Sequence, residues 1–261
     1  MTTLAKALNI AKIAAFVSLA VIATENTAQS AEIKFLCAGA LESTVRDLIP
    51  EFQKTSGYNV NATFAAINVI TERVQKGEAA DLAIVSPQQW EDLQKDRKID
   101  PAVRVVIAKV GFGVFVKKGA AKPDISSVEA FKRAFLNASS IALFDPVLRG
   151  PTPVFGTRLF EQLGMSPGLN PKSKFAGGPV ALFELVAKGD AEIGLAQISE
   201  ILAAPGVELV GSLPADIQGF TIFTTAVPSN AKEPVAAKTL VEFLASARVT
   251  ALLKSKGLEP N

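Results

Sequence analysis

Histidine is absent from all 261 residues. That excludes Ser-His-Asp and Cys-His nucleophile systems and every histidine-ligated zinc site. The single cysteine, Cys37, cannot form an intramolecular disulfide, so stability in an oxidising compartment must come from packing. It sits in an apolar, strand-like run (IKFLCAGA), and no lipid-attachment cysteine follows the N-terminal apolar stretch. A membrane-spanning run is also lacking. The uncharged stretch Ile13–Thr24 (IAAFVSLAVIAT) is about a dozen residues, against the roughly 20 that a spanning helix needs. Lys6 and Lys12 precede it, and Ala28-Gln29-Ser30 offers small residues where a signal peptidase reads. Residues 1–30 therefore read as a cleaved secretory signal, and the protein is expected in the periplasm with no stable membrane anchor. Without that segment 25 Lys+Arg face 24 Asp+Glu. So even a balance argues against nucleic acid or an anionic membrane surface as the main partner.

About 230 residues remain, enough for a sizeable core or for two lobes. Short β-like runs alternate with helical periodicity. Ile33–Ala38 reads as a strand. Leu41, Val45, Leu48, Ile49 and Phe52 recur at helical spacing up to Ser56-Gly57. Strand Asn59–Ala65, helix Ile67–Lys76 with Gly77 as its stop, strand Asp81–Ser86 and helix Gln88–Lys98 follow. This order predicts a mostly parallel sheet with helices on both faces. Val105–Lys117 is a long β run interrupted by Gly111 and Gly113, which are expected to let it bend as a hinge. A new series follows, with helix Ser127–Phe135, strand Ser140–Phe144, helices Thr157–Leu163 and Val180–Lys188, and strand Glu192–Ala196. Gly219–Val227 is a second long β run, and the tail is helical over Glu233–Ala245 and Val249–Lys256. Two long β runs bracketing a βα unit predict a chain that crosses twice between lobes. Lobe one is 31–112 plus 220–261 and lobe two is 113–219, with a single doubly wound domain as the other possibility. Strand carboxyl ends facing each other across a cleft make a hinge-closure design.

Several segments carry a resemblance. FLCAGALES, KGEAADLAIVS, the Asp145-Pro146 turn, VAKGDAEIGLAQISE and EPVAAKTLVEFLASARVTALLKSKGLEP occur in an order similar to that of periplasmic molybdate-binding-type solute-binding proteins of ABC importers. The resemblance covers essentially all of 31–261 and implies an α/β, two-lobed periplasmic-binding-protein fold. It further implies a small anionic solute as ligand, an ABC permease as partner, a monomer, and no metal or cofactor. In the molybdate binders, serine-bearing turns follow the first two strands. Here those turns read Ala38-Gly39-Ala40-Leu41 and Ala65-Ala66-Ile67-Asn68, and Gln197 stands where a tyrosine is expected. The missing hydroxyls favour a carboxylate over a molybdate-type oxyanion. The family also includes aconitate isomerase-like members, so an isomerase remains the alternative.

Residue by residue, Ala38, Gly39, Ala40 and Leu41 form a small-residue turn opening a helix, where backbone N–H groups bind anions without side chains. Ala65, Ala66 and Asn68 repeat this after the second strand, and Asn68 adds an amide. Tight strand–helix packing accounts for the same small residues. The loop Asp145–Pro153 is held by prolines. Its Arg149 suits bidentate capture of a carboxylate, or else a structural pair with Asp145, and Thr152 offers a hydroxyl or N–H. The Gly150…Gly156-Thr157 spacing lacks the lysine of a phosphate loop. Gly178 and Gln197 are further ligand candidates, and so is Ser86 at a strand's far end, whereas Asp81 at its start reads as structural. Trp90, Phe52 and Phe135 read as core. An isomerase without histidine needs a carboxylate or lysine base, and Glu42 or Asp145 is in position.

Overall fold

The computed structural model describes residues 31–261, so the expected signal segment lies outside the described residues. In chain order the elements are β1 (Glu32–Ala38), α1 (Glu42–Ser56), β2 (Asn59–Ala65), α2 (Ile67–Gln75), β3 (Leu82–Val85), α3 (Pro87–Lys95), β4 (Val106–Lys117), α4 (Val128–Asn137), β5 (Ile141–Phe144) and α5 (Pro151–Gln162), then α6 (Ser166–Leu169), β6 (Ser173–Ala176), α7 (Pro179–Lys188), β7 (Ile193–Gln197), α8 (Ile198–Ala203), β8 (Val207–Ser212), β9 (Phe220–Ala226), α9 (Pro234–Leu244), α10 (Thr250–Ser255) and β10 (Glu259–Pro260).

The central strands are unbroken apolar runs. Every residue of β3 (LAIV) and of β7 (IGLAQ) is buried, as strands covered on both faces require. β2 (NVNATFA) alternates exposed and half-buried residues and forms one edge. Two parallel triplets result, β2-β1-β3 and β6-β5-β7. Antiparallel strands join them: β9 runs between β3 and β4, and β4 runs between β9 and β7. Each half is therefore a mixed sheet, with its parallel part flanked by the crossing strands. In the first half, α1, α9 and α10 cover one face around Phe35, Phe52, Leu240 and Leu253, while α2 and α3 cover the other around Ile70, Val74, Trp90 and Leu93. In the second half α4 and α5 pack around Phe131, Phe135 and Phe160, and α7 and α8 around Phe115, Leu182 and Ile201.

β4 changes partners at its glycines. Gly111 still pairs with Phe220 of β9, and Phe112 already pairs with Gln197 of β7. Neither glycine is there for a left-handed backbone. A Cβ on Gly111 would lie 3.0 Å from Gln218 Nε2, and one on Gly113 would lie 2.8 Å from Leu209 Cδ1. The Gln218 side chain fills the space beside Gly111. It accepts from the Phe112 N–H at 2.9 Å and donates to the Phe112 carbonyl at 3.0 Å, which ties the returning crossover to the outgoing one.

Several boundaries differ from the sequence expectation. The helix expected over Thr157–Leu163 starts at Pro151, because proline suits a first turn whose N–H groups have no intrahelical partner. Most of the expected Pro-rich loop is thus a turn from Asp145 to Gly150 and the start of α5. The helix expected to run to Lys98 ends at Lys95, where Arg97 adopts a left-handed φ of 57°. β6, α8 and β8 are additional elements, each only four to six residues long.

Candidate functional site

The strand ends of both halves converge on a cavity of about 370 Å³. Ala38–Ala40 after β1, Ala65–Asn68 after β2, and Phe223 line it from one half. Leu148–Pro153 at the start of α5, Gly177–Pro179 at the start of α7, and Gln197 and Glu200 of the β7–α8 junction line it from the other. This volume suits a small ligand.

The helices that begin at this cavity lack side-chain caps, as do the short α6 and α10 elsewhere, whereas α3 and α4 carry them. The 3₁₀ turn Gly39–Leu41 leading into α1, then α2, α5 and α7, have no side-chain hydrogen bond at their caps. α3, in contrast, carries a capping box in which Ser86 accepts from the Gln89 N–H, and α4 is capped by Ser127. The start of α9 is held by Asp81, whose Oδ1 accepts from the N–H groups of Lys232 and Glu233 at 2.8 and 2.9 Å. The cavity helices thus keep their first N–H groups and positive dipole ends directed at the cleft. Pro151 and Pro153 remove two donors from α5, so it offers the Thr152 N–H and hydroxyl.

Arg149 is exposed at the cavity edge and has no acidic partner or aromatic stack among the described residues. The apolar lining is Phe64, Phe144, Leu148 and Phe223. Asn68 contributes a buried Oδ1 with no hydrogen-bond partner. Gln197 is buried and donates through Nε2 to Thr221 Oγ1 at 2.6 Å, which fixes its amide at the cavity wall. Glu42 lines the same cavity and forms an ion pair with Arg46 at 2.8 Å.

The structure brings together Ala38, Gly39, Ala40, Glu42, Ala65, Ala66, Asn68, Arg149, Thr152, Gly178 and Gln197. Three expected residues stand apart. Leu41 is buried in the core. The Asp145 carboxylate accepts from the Val147 N–H at 2.9 Å and shapes its own turn, outside the lining. Ser86 caps α3 and lines an adjoining, more open cavity of about 480 Å³ that shares Asn68 and Arg149 with the first and adds Arg158 and Phe220. Another cavity, of about 290 Å³, lies between α5, α6 and β5. Its only charged side chain is Glu161, so it is not an anion site.

One ionisable lining residue was missing from the sequence reading. Glu200 is the third residue of α8, and its Oε2 is shut from solvent with no hydrogen-bond partner. Glu200 is half-buried and lines the cavity, with Oε2 enclosed. Burial pushes its pKa up from 4.5 to about 7, and the Gln197 backbone N–H only partly offsets this. Reading QISE as a helix start would have put Glu200 one turn beyond Gln197, on the same wall.

Two mixed α/β halves joined by antiparallel crossovers, with a cleft between strand ends, define the two-lobed architecture of solute-binding proteins. The chain belongs to the bacterial extracellular solute-binding protein family, whose model matches residues 33–259. It is 28% identical over 232 residues to an aconitate isomerase from Pseudomonas sp, covering 86% of each chain. It is 26% identical over 197 residues to the molybdate-binding protein ModA of Escherichia coli K12, covering 75% of this chain and 76% of that one. Its fold matches the Azotobacter vinelandii periplasmic molybdate-binding protein with a TM-score of 0.72 at 18% identity, covering 88% of this chain and 99% of that one.

Proposed function

We propose that this protein captures a small organic anion bearing carboxylates in the cleft, in the periplasm, and presents it to an ABC permease. The observation that carries this reading is the unpaired Arg149 at a cavity that also receives uncapped helix starts and several aromatic and aliphatic side chains. A guanidinium holds a carboxylate through two parallel hydrogen bonds, and N–H groups at helix starts take further carboxylate oxygens. Phe144, Leu148 and Phe223 suit a carbon skeleton, which a tetrahedral oxyanion lacks. The turns after β1 and β2 carry no hydroxyl, so an oxyanion would be served there by backbone donors and the Asn68 amide. Capture ends with the lobes closing about the crossovers near Gly111 and Gln218. A thermal-shift panel of citrate, trans-aconitate, succinate, molybdate and sulfate tests this. Melting rises with the polycarboxylates, and a rise with molybdate alone refutes it.

Glu200 and the aconitate isomerase relative favour a second reading, in which the bound tricarboxylate is also turned over. An allylic C–H proton passes to a base, the negative charge spreads into the adjacent carboxylate, and a proton returns at the other end of the allyl unit. A carboxyl that still holds its proton near neutrality suits the returning step, and Glu42 suits the abstraction. Proton NMR of trans-aconitate in D₂O reads it directly. Appearance of the cis isomer with deuterium at carbon supports turnover, and an unchanged spectrum leaves capture alone.

A further inference from the structure

A cleft built to attract an anion contains a carboxyl group with nothing to neutralise it. Glu200 lines the cavity, and its Oε2 is both sealed from water and without a hydrogen-bond partner. α8 packs on β4, β7, β8 and the 3₁₀ turn Gly39–Leu41. Neither the turn nor β7 carries an ionisable side chain, and Cys37 just before the turn is a buried thiol. β8 contributes Glu208, which pairs with Lys122 at 3.8 Å. On β4, Lys109 pairs with Glu259 at 3.0 Å, and Lys117 lies beside Gly189 at the strand's far end. Across the cavity stand Glu42, already paired with Arg46, and Arg149.

We infer that the cleft takes up a proton together with its anionic ligand, and that Glu200 is the residue that holds it, as a neutral hydrogen-bond donor to a ligand carboxylate. The inference rests on the carboxylate reading above. The physical reason is a choice of charge. An ionised Glu200 in this enclosed space would repel a carboxylate and would offer it only acceptors. A protonated one removes the repulsion and adds an O–H donor for the oxygen that now lacks a partner. The raised pKa of the empty site makes the change easy near neutral pH, and an anion alongside raises it further.

Linkage fixes the sign. Below the free-site value of about 7 Glu200 is already protonated, so affinity is flat with pH. Above it, each bound ligand must draw in a proton, and affinity falls by up to about tenfold per pH unit until the pKa of the complex is reached. The test is calorimetric titration of the purified protein with trans-aconitate at pH values from about 6 to 9. The titrations are repeated in phosphate and Tris, whose ionisation enthalpies differ. Uptake approaching one proton per ligand at about pH 8, with affinity falling above pH 7, is the expected result. Glu200→Gln, a neutral donor of the same shape, should bind with a flat pH profile and no uptake. Wild-type binding with a flat profile and no proton uptake overturns this inference while leaving carboxylate capture standing. A slope that persists unchanged in E200Q also overturns it. No binding of trans-aconitate or citrate at pH 6 overturns both. The proton count is measured on the wild-type protein, so the outcome does not depend on a variant folding.

Discussion

Arg149 and Glu200 divide the chemistry of the cleft between them. Arg149 has no partner among the described residues, so replacing it should remove ligand affinity without loosening the fold. Arg149→Lys keeps the charge but loses the two-pronged geometry. It should weaken carboxylate binding by roughly 10–100-fold in calorimetry and leave the melting temperature of the empty protein unchanged. Glu200 acts on stability as well. Its pKa rises on folding from 4.5 to about 7, so the folded state binds more proton than the unfolded chain and stability falls as pH rises through that window. Glu200→Gln should therefore match wild type near pH 4 and be the more stable protein at pH 8. At about 1.4 kcal/mol per pKa unit the gain has an upper bound of about 3.5 kcal/mol, measured by urea denaturation. Arg149 was legible in the sequence because guanidinium chemistry is local to the residue. Glu200 was not, because its meaning depends on burial and on a six-residue helix whose pattern is too short to show periodicity.

At the scale of elements, two side chains tie distant parts of the chain together. Asp81 is buried and accepts from the N–H groups of Lys34, Lys232 and Glu233, which joins β1, the start of β3 and the start of α9. Asp81→Ala leaves these donors unpaired and should lower unfolding stability by at least about 2 kcal/mol, with ligand affinity in the surviving folded fraction unchanged. Gln218 holds both backbone groups of Phe112 at the crossover. Gln218→Ala should lower stability by about 1–3 kcal/mol in the same assay. It should also change ligand affinity, because the crossover sets how the halves face each other. The strong apolar runs and the period of α1 reported their elements faithfully, since burial on one or both faces writes directly into sequence. α5 starts six residues before the expected helix because Pro151, Thr152 and Pro153 read as a loop, while a helix's first turn tolerates proline. β6 and β8 are brief, and their register comes from neighbours rather than from their own sequence.

The whole molecule follows from the order of its strands. Parallel triplets end at the cleft and antiparallel crossovers join them, so turns far apart in sequence meet around one cavity. Small residues at Ala38–Ala40 and Ala65–Ala66 leave backbone donors accessible, and the helices behind them lack side-chain caps. That pattern is what a binding protein needs, and the cleft residues Ala38, Gly39, Asn68, Arg149 and Gln197 were visible as strand-end or turn positions. What sequence alone did not separate was cavity from core, as with Leu41, or ligand contact from turn geometry, as with Asp145. The central claim is that the cleft takes a small polycarboxylate, and side-by-side calorimetric titration with trans-aconitate and molybdate at about pH 6.5 tests it most directly. One-to-one binding of the carboxylate that is lost in Arg149→Ala, with no heat from molybdate, is the predicted result. Tight molybdate binding with no response to trans-aconitate or citrate would contradict it.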